Sequence, residues 1–452
     1  MNTRISAVFV VVLLGTPCAS RAETPPAQDT LKTFSALLAE GNQPDAIGPA
    51  LTLDEVEHIA LSVNPEIAVA ARRAAVAEKH VPTAGALDDP MAMYRGWSVP
   101  LSQPWNYNAA QNMFSLSQTL PGPGKRALRT NIAESDVDVA KAQLEQTRLQ
   151  VRVRVHKAFN DLLRAQEEIR IHEKHVGIAR QAIEAARIKY EVGKVPQQDI
   201  LKAQVALTAL TEHMIRFEQD ADLARARLNT LLGRNPAAPV RVAGNFDSLS
   251  ELPGVETLGQ LALQSRPDLI AAQQQVVRSR KEQALAKKAY IPDFTISAGY
   301  MLMPPTSDMR NNYMIEGSMN LPWLNRHKHD ADIAEAAART TEQDSELAAL
   351  RNVAFGQIQE ALVEAQASQR LARMYSDQLR PEAEATLQSS VVAYENDRTS
   401  FLDLLDSQMS VINIDLAWLQ AIADFDDKLA DLELATGTTL ETIPPTATET
   451  RP

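Results

Sequence analysis

The chain has 452 residues, 45% of them apolar and 23% charged, with only 17 glycines and 5% aromatics, which excludes a disordered chain and favours long helices over a compact α/β enzyme. Its formal charge of −12 argues against a nucleic-acid partner, whose phosphates need a basic surface, and suits a soluble face or a pore that favours cations.

Residues 1–22 read as a secretory leader. Arg4 precedes an apolar run from Ile5 to Leu14, and Ser20, Arg21 and Ala22 end the segment with small residues where a signal peptidase reads. About ten apolar residues are too few to span a bilayer. The only cysteine, Cys18, lies inside this leader. It is a candidate for lipidation, although Pro17 stands where a lipobox takes a small side chain. Cleavage after Ala22 leaves no cysteine and no disulfide. No later stretch is long and apolar enough for a membrane helix, so any membrane span must be β.

Beyond the leader the chain repeats itself. Ala60-Leu61-Ser62-Val63-Asn64-Pro65-Glu66-Ile67 recurs as Ala262-Leu263-Gln264-Ser265-Arg266-Pro267-Asp268-Leu269 at an offset of 202. Leu120-Pro121 pairs with Leu321-Pro322, Tyr190-Glu191 with Tyr394-Glu395, and Gly233 with Gly437, all within two residues of that offset. The landmarks divide the mature chain into a first repeat, 23–250, a second, 251–437, and a flexible tail, 438–452. Each repeat holds a short helix, a medium helix, two β segments, a very long helix, a turn and another long helix.

In chain order, the first repeat predicts a medium helix over 65–84, opened by Pro65 at a position that suits a first helical turn. Strands are predicted at about 91–101 and 111–120, and long helices at about 127–191 and 196–232. The first of these helices reaches ~100 Å at the α-helical rise. Val151, Val155, Ala158, Leu162, Ala165 and Ile169 form a coiled-coil seam on it. Within the seam, Val151 to Val155 alternates like a strand, but its flanks make it helix. The second repeat predicts a medium helix over 267–289, strands at about 293–303 and 312–321, and long helices at about 329–395 and 400–436.

The strands alternate in polarity. Phe294, Ile296, Ala298, Tyr300 and Leu302 oppose Asp293, Thr295, Ser297 and Gly299, while Tyr313, Ile315, Met319 and Leu321 oppose Asn312, Glu316, Ser318 and Asn320. Phe114, Leu116 and Leu120 alternate with Ser115, Ser117 and Thr119. Each segment has the ~10 residues a tilted strand needs to cross an outer membrane. Four strands cannot close a barrel, and lipid tolerates no open sheet edge, so three chains sharing twelve strands is the expected solution. The alternatives are a soluble four-stranded sheet, an envelope coiled-coil scaffold or adhesin-like protein without transport activity, and a soluble periplasmic binding protein.

These features resemble the TolC family of outer-membrane efflux proteins over nearly the whole mature chain. The resemblance rests on Leu53-Asp54-Glu55-Val56 with Ala60-Leu61 and Asn64-Pro65, on Ser117-Gln118-Thr119-Leu120-Pro121 entering a helix, and on Leu228-Asn229 with Leu231-Leu232-Gly233. The turn segments Tyr190 to Gln204 and Tyr394 to Gln408 belong with them. Asp89-Pro90-Met91 and Pro121-Gly122-Pro123-Gly124-Lys125-Arg126 are similar to the heavy-metal efflux branch. The resemblance implies a homotrimer in the outer membrane: a twelve-stranded β-barrel, a long α-helical barrel projecting into the periplasm, and an equatorial belt drawn from about 36–62, 233–264 and the tail. It also implies a periplasmic adaptor and a proton-driven inner-membrane transporter as partners, and a passive exit duct for heavy-metal cations or small toxic compounds.

Candidate functional residues follow. Gly193 and Lys194 in the first helical turn, and Arg398 and Thr399 in the second, are candidate adaptor contacts, although Gly193 also suits a plain turn. Asp403 and Asp406 project from one helical face, and Asp199 matches Asp403 in the first repeat. They stand nine and twelve residues after Tyr394, as similar acids do in the family's constriction, so three copies are expected to ring the pore. The plain alternative is that aspartates near a helix N-terminus merely suit its dipole. Met91, Met93, Met113, Met301, Met303, Met309, Met314 and Met319 cluster in or beside the β segments. Thioethers can bind soft cations, but an apolar barrel wall is the expected role. His327 and His329 are poorly spaced for a helical metal site. No Gly-rich phosphate loop, catalytic triad or metal-ligand motif is present, so neither an enzyme nor a resident cofactor is expected.

Overall fold

The structure is a computed structural model describing residues 50–99, 101–102, 104–246, 249–304, 311–396 and 398–440. The expected leader 1–22 with Cys18, the 36–49 part of the expected belt, Met309 and the tail beyond 440 lie outside the described residues. The described residues belong to one compact unit, Ile47–Pro452.

The elements run α1 (Leu53–Val63), α2 (Pro65–Ala84), β1 (Met91–Trp97), β2 (Gln111–Leu120), α3 (Lys125–Glu191), α4 (Gln197–Leu231), α5 (Val255–Ser265), α6 (Pro267–Lys287), β3 (Phe294–Leu302), β4 (Asn311–Met319), α7 (Arg326–Met374), α8 (Arg380–Glu395) and α9 (Phe401–Thr436). The segment Val151 to Val155 is helical, inside α3. β1 stops at Trp97, short of the expected 101, because Ser98 turns the backbone with φ +54°. The medium helix of the second repeat ends at Lys287 in a 3₁₀ turn rather than running to 289.

The helix expected over 329–395 is interrupted. A π turn at Tyr375–Leu379 separates α7 from α8, and the Arg380 amide reaches back to the Tyr375 carbonyl. Pro381 supplies the reason: it has no N–H to donate, and its ring would strike the carbonyl four residues back, so the ladder slips by one residue. The slip also sets Arg380. Its Nε donates to Asp415 Oδ1 on α9 at 2.9 Å, and its guanidinium lies 4.3 Å from the Trp418 ring centre.

The two repeats are closed by matching contacts. Asn64 caps α2 by accepting from the Glu66 amide at 2.9 Å, and its amide donates to the Leu231 carbonyl at the end of α4. Arg266 holds the equivalent place in the second repeat and donates to the Ala435 carbonyl at the end of α9 at 3.1 Å. A short amide and a long guanidinium thus tie the medium helix to the return helix in both halves. Gly233 and Gly437 then turn the chain out of those helices with φ +65° and +85°, a conformation glycine adopts without strain.

The largest core lies where α1, α2, the middle of α3, the end of α4 and the segment around Val242, which bridges to Leu51, meet α9. Val56, Ala60, Val151, Val155, Leu162, Leu228, Val242 and Leu419 are buried there. The α3 seam is thereby buried from Val151 to Ala165, with Ile169 at its margin. A smaller equivalent core joins α5, α7 and α9 through Leu258, Ile358 and Leu432.

The four strands form one antiparallel sheet in the order β1-β2-β3-β4. Its junction with α3 is held by Asp293, which accepts from the Gly122 amide at 2.6 Å and from Lys125 Nζ at 2.8 Å. A side chain on Gly122 would meet the Pro292 carbonyl at 2.7 Å, and Gly124 turns into the helix at φ +82°. The Pro-Gly-Pro-Gly-Lys-Arg segment is therefore the strand-to-helix hinge, with Arg126 Nε donating to the Gly85 carbonyl.

Candidate functional site

Two regions carry functional geometry: the sheet and the pair of helical tips. In the sheet, the pairing register decides which residues share a face. Tyr94, Phe114, Tyr300 and Tyr313 align across all four strands, as do Ala92, Leu116, Ala298 and Ile315. Tyr94 packs on Phe114 at 5.1 Å and Tyr300 on Tyr313 at 5.6 Å between ring centres. This face is bare: Tyr313 and Ile315 are 87% and 85% exposed. Leaving such side chains in water forgoes ~1.5–3 kcal/mol each, a loss that a lipid surround removes.

The opposite face carries Ser115, Ser117, Ser297, Thr119, Thr295, Glu316, Gln111 and Arg95. It also carries Met91, Met93, Met113, Met301 and Met314, whereas Met319 lies on the apolar side. The methionines expected to serve as apolar packing thus sit on both faces, a point that the register and not a single strand's alternation settles; Met113 is buried and Met301 and Met314 are half-buried, whereas Met91 and Met93 are exposed. Among the described residues the outer strands β1 and β4 each pair on one side only.

The two tips share one small core. Ala186 near the end of α3, Ala203 at the start of α4, Tyr394 at the end of α8, and Phe401 and Leu404 at the start of α9 pack together. Tyr394 and Phe401 meet edge-on at 5.7 Å. Lys189 crosses between the repeats, donating to the Tyr394 carbonyl and lying 4.1 Å from its ring centre. This latch was not singled out in the sequence; a lysine in a helix's last turn, suited to the dipole there, was the available signal.

The first tip turns at Gly193, φ +76°, with its amide donating to the Tyr190 carbonyl. Gly193, Lys194 and Arg398 are exposed, and Thr399 is half-buried. Thr399 Oγ1, Ser400 Oγ and the Ser400 amide all donate to Asp403 Oδ2, at 2.8, 2.7 and 3.1 Å. The Ser400 hydroxyl accepts in turn from the Asp403 amide, completing a capping box for α9. The Ser400 hydroxyl first, then Thr399, hold the Asp403 carboxyl below its usual range. Asp403 is therefore both a cap and a fixed negative charge. Asp406, one turn on, is exposed and has no ion pair among the described residues. Asp199 is half-buried in the first turn of α4.

No group of three or more His, Cys, Asp or Glu side chains that could hold a metal ion occurs among the described residues. His327 is exposed, and His329 lies 3.8 Å from Asp332. No described helix is long and apolar enough to cross a membrane.

A sheet with one lipid-suited face, joined to helical hairpins too long for an ordinary domain, defines an outer-membrane channel subunit. The chain belongs to the outer membrane efflux protein family, whose sequence model matches residues 57–234 and again 258–438, one match per repeat. It is a family of channels, not of enzymes. The cobalt-zinc-cadmium resistance protein CzcC of Cupriavidus metallidurans is 25% identical over 66% of this chain and 70% of its own. Nodulation protein T of Rhizobium leguminosarum bv. trifolii is 22% identical over 74% and 73%. Among solved structures, the channel-forming protein CusC has TM-score 0.72 and 17% identity, covering 88% of this chain and 96% of its own. The outer membrane protein VceC of Vibrio cholerae has TM-score 0.71 and 19% identity, over 86% and 96%. This chain has their TolC-like fold.

Proposed function

We propose that three copies of this chain close a twelve-stranded β-barrel in the outer membrane and continue as a helical barrel into the periplasm. The assembly is the passive exit duct of a tripartite efflux pump. A proton-driven inner-membrane transporter delivers the cargo through a periplasmic adaptor. Residues 1–22 are the cleaved leader, and the repeats 23–250 and 251–437 build the wall.

The carrying observation is the half-paired sheet: among the described residues β1 and β4 have open edges beside an apolar, exposed face. Unpaired strand groups cost several kcal/mol each in lipid, so the edges must meet those of another copy. The likeness to a cobalt-zinc-cadmium resistance protein supports heavy-metal cations as cargo.

The tips form the periplasmic mouth. Asp406, with Asp403 and Asp199, rings the pore and draws cations, while Gly193, Lys194, Arg398 and Thr399 meet the adaptor's hairpins. Reconstitution in a planar bilayer tests both parts. Wild type conducts with cation preference, and Asp406→Ala with Asp199→Ala lowers that preference without changing trimer mass. Unaltered conductance and selectivity would sink the ring, and absence of any conductance would sink the duct.

A further inference from the structure

The polar face of the sheet has an unusual chemistry. One rung aligns Met93, Ser115, Gly299 and Met314, and the next aligns Arg95, Met113, Met301 and Asn312. Met91 heads the rung on the other side, beside Ser117, Ser297 and Glu316. All four strands therefore bring a methionine to this face within two adjacent rungs.

Met113 and Met301 stand directly opposite each other, which sets their Cβ atoms ~4.5–5.5 Å apart, with diagonal neighbours ~7–8 Å away. Both spacings lie within reach of paired thioether side chains. Gly299 adds no side chain between them: a Cβ there would meet the Phe114 carbonyl at 3.1 Å, Ser115 Cβ at 3.2 Å and Met314 Cε at 3.5 Å. Apolar packing accounts for Met113, which is buried, but not for the exposed Met91 and Met93, because the apolar face has its own Phe, Tyr, Leu and Ile residues and takes only Met319 of the described strand methionines.

Thioether sulfur is a soft ligand that selects cations such as Cu(I), whereas hard cations want oxygen. In these rows the only carboxylate is Glu316, and there is no His or Cys. From this placement we infer that the methionine band lines the barrel lumen as a series of weak thioether sites for soft monovalent cations, Cu(I) or Ag(I). The inference rests on the three-chain barrel proposed above, which turns the polar face inward and repeats the band three times around the lumen. Weak sites suit a duct, since a passing ion must be able to leave. Arg95 opposes them: its guanidinium donates to Met93 Sδ at 3.6 Å and competes with a cation for that sulfur.

Equilibrium dialysis of the full-length protein in detergent against silver nitrate, in chloride-free buffer, is the test, with the assembly's mass measured on the same samples. Met93, Met113, Met301 and Met314 are replaced together by leucine, which conserves apolar volume. The double variant Met113→Leu, Met301→Leu serves if the fourfold one does not fold. Wild type and Met319→Leu bind Ag(I) alike, the band variants bind about tenfold more weakly or worse, Arg95→Gln binds more tightly, and Mg(II) does not compete. Equal Ag(I) binding by wild type and band variants, or none by a wild-type trimer, overturns the inference and leaves the barrel standing. A wild type that is not a trimer removes the barrel and the inference with it.

Discussion

Acid should weaken the helical region through one side chain. His172 on α3 is fully buried, edge-on to Phe217 at 4.6 Å and stacked on His213 at 5.7 Å, and neither ring nitrogen has a hydrogen-bond partner among the described residues. Burial above all, then the neighbouring His213 and His175 rings, push its pKa from 6.5 down to about 4. Between those values the unfolded chain binds a proton that the folded chain refuses, so stability falls as pH drops through that window and the loss is complete below it. At 1.36 kcal/mol per unit, the shift corresponds to about 3 kcal/mol per chain. Thermal unfolding, followed by the helical circular dichroism signal, is compared at about pH 7.5 and about pH 4.5 for wild type and His172→Leu, with His172→Phe as a second apolar variant. Wild type should lose ~2.5 kcal/mol relative to the variants between the two conditions, most of the full shift. Parallel pH dependence in all three proteins would refute the reasoning.

Other substitutions probe other parts of the structure. Ser400→Ala removes the α9 cap and should cost ~1 kcal/mol in thermal unfolding; the Asp403 carboxyl, freed from that hydroxyl, should titrate closer to its ordinary range. Gly437→Ala should destabilise by ~1–3 kcal/mol, because φ is +85° and the new Cβ would meet the Arg266 Cα at 2.5 Å. Asp415 is drawn upward by burial but held below its ordinary range by His175 and Arg380. Asp415→Asn should therefore cost ~1–3 kcal/mol, between the surface and buried extremes for an ion pair, and loosen amide protection beside the π turn.

Much of this architecture was legible because it is carried by local pattern. The medium helix over Pro65–Ala84 and the strand Gln111–Leu120 have the expected bounds, since a first-turn proline and clean alternation are signals within a few residues. The α3 seam was readable by the same logic. What escaped depends on partners distant in sequence. Pro381 lies inside a strongly helical stretch whose pattern alone predicts an unbroken helix, although a proline there obliges the ladder to slip. Lys189, Arg380 and the Lys125–Asp293 tie each bind across 35 residues or more, and no spacing rule reports that. Asp403 and Asp406 share a helical face as the three-residue spacing implies, but only the side-chain geometry revealed that Asp403 also caps its helix. The methionine faces were hidden for a further reason: alternation gives two faces, and only the register across four strands tells which residues share one.

The central claim concerns the open edges of β1 and β4. The chain's only cysteine, Cys18, lies in the proposed leader, so cysteines introduced singly along β1 and β4 and combined in pairs would be the mature chain's sole thiols. Oxidation of the detergent-solubilised protein should yield a covalently closed species whose protein mass, measured free of detergent, is three chains. A monomer that stays soluble without detergent, and in which no β1–β4 pair cross-links between chains, would contradict the account.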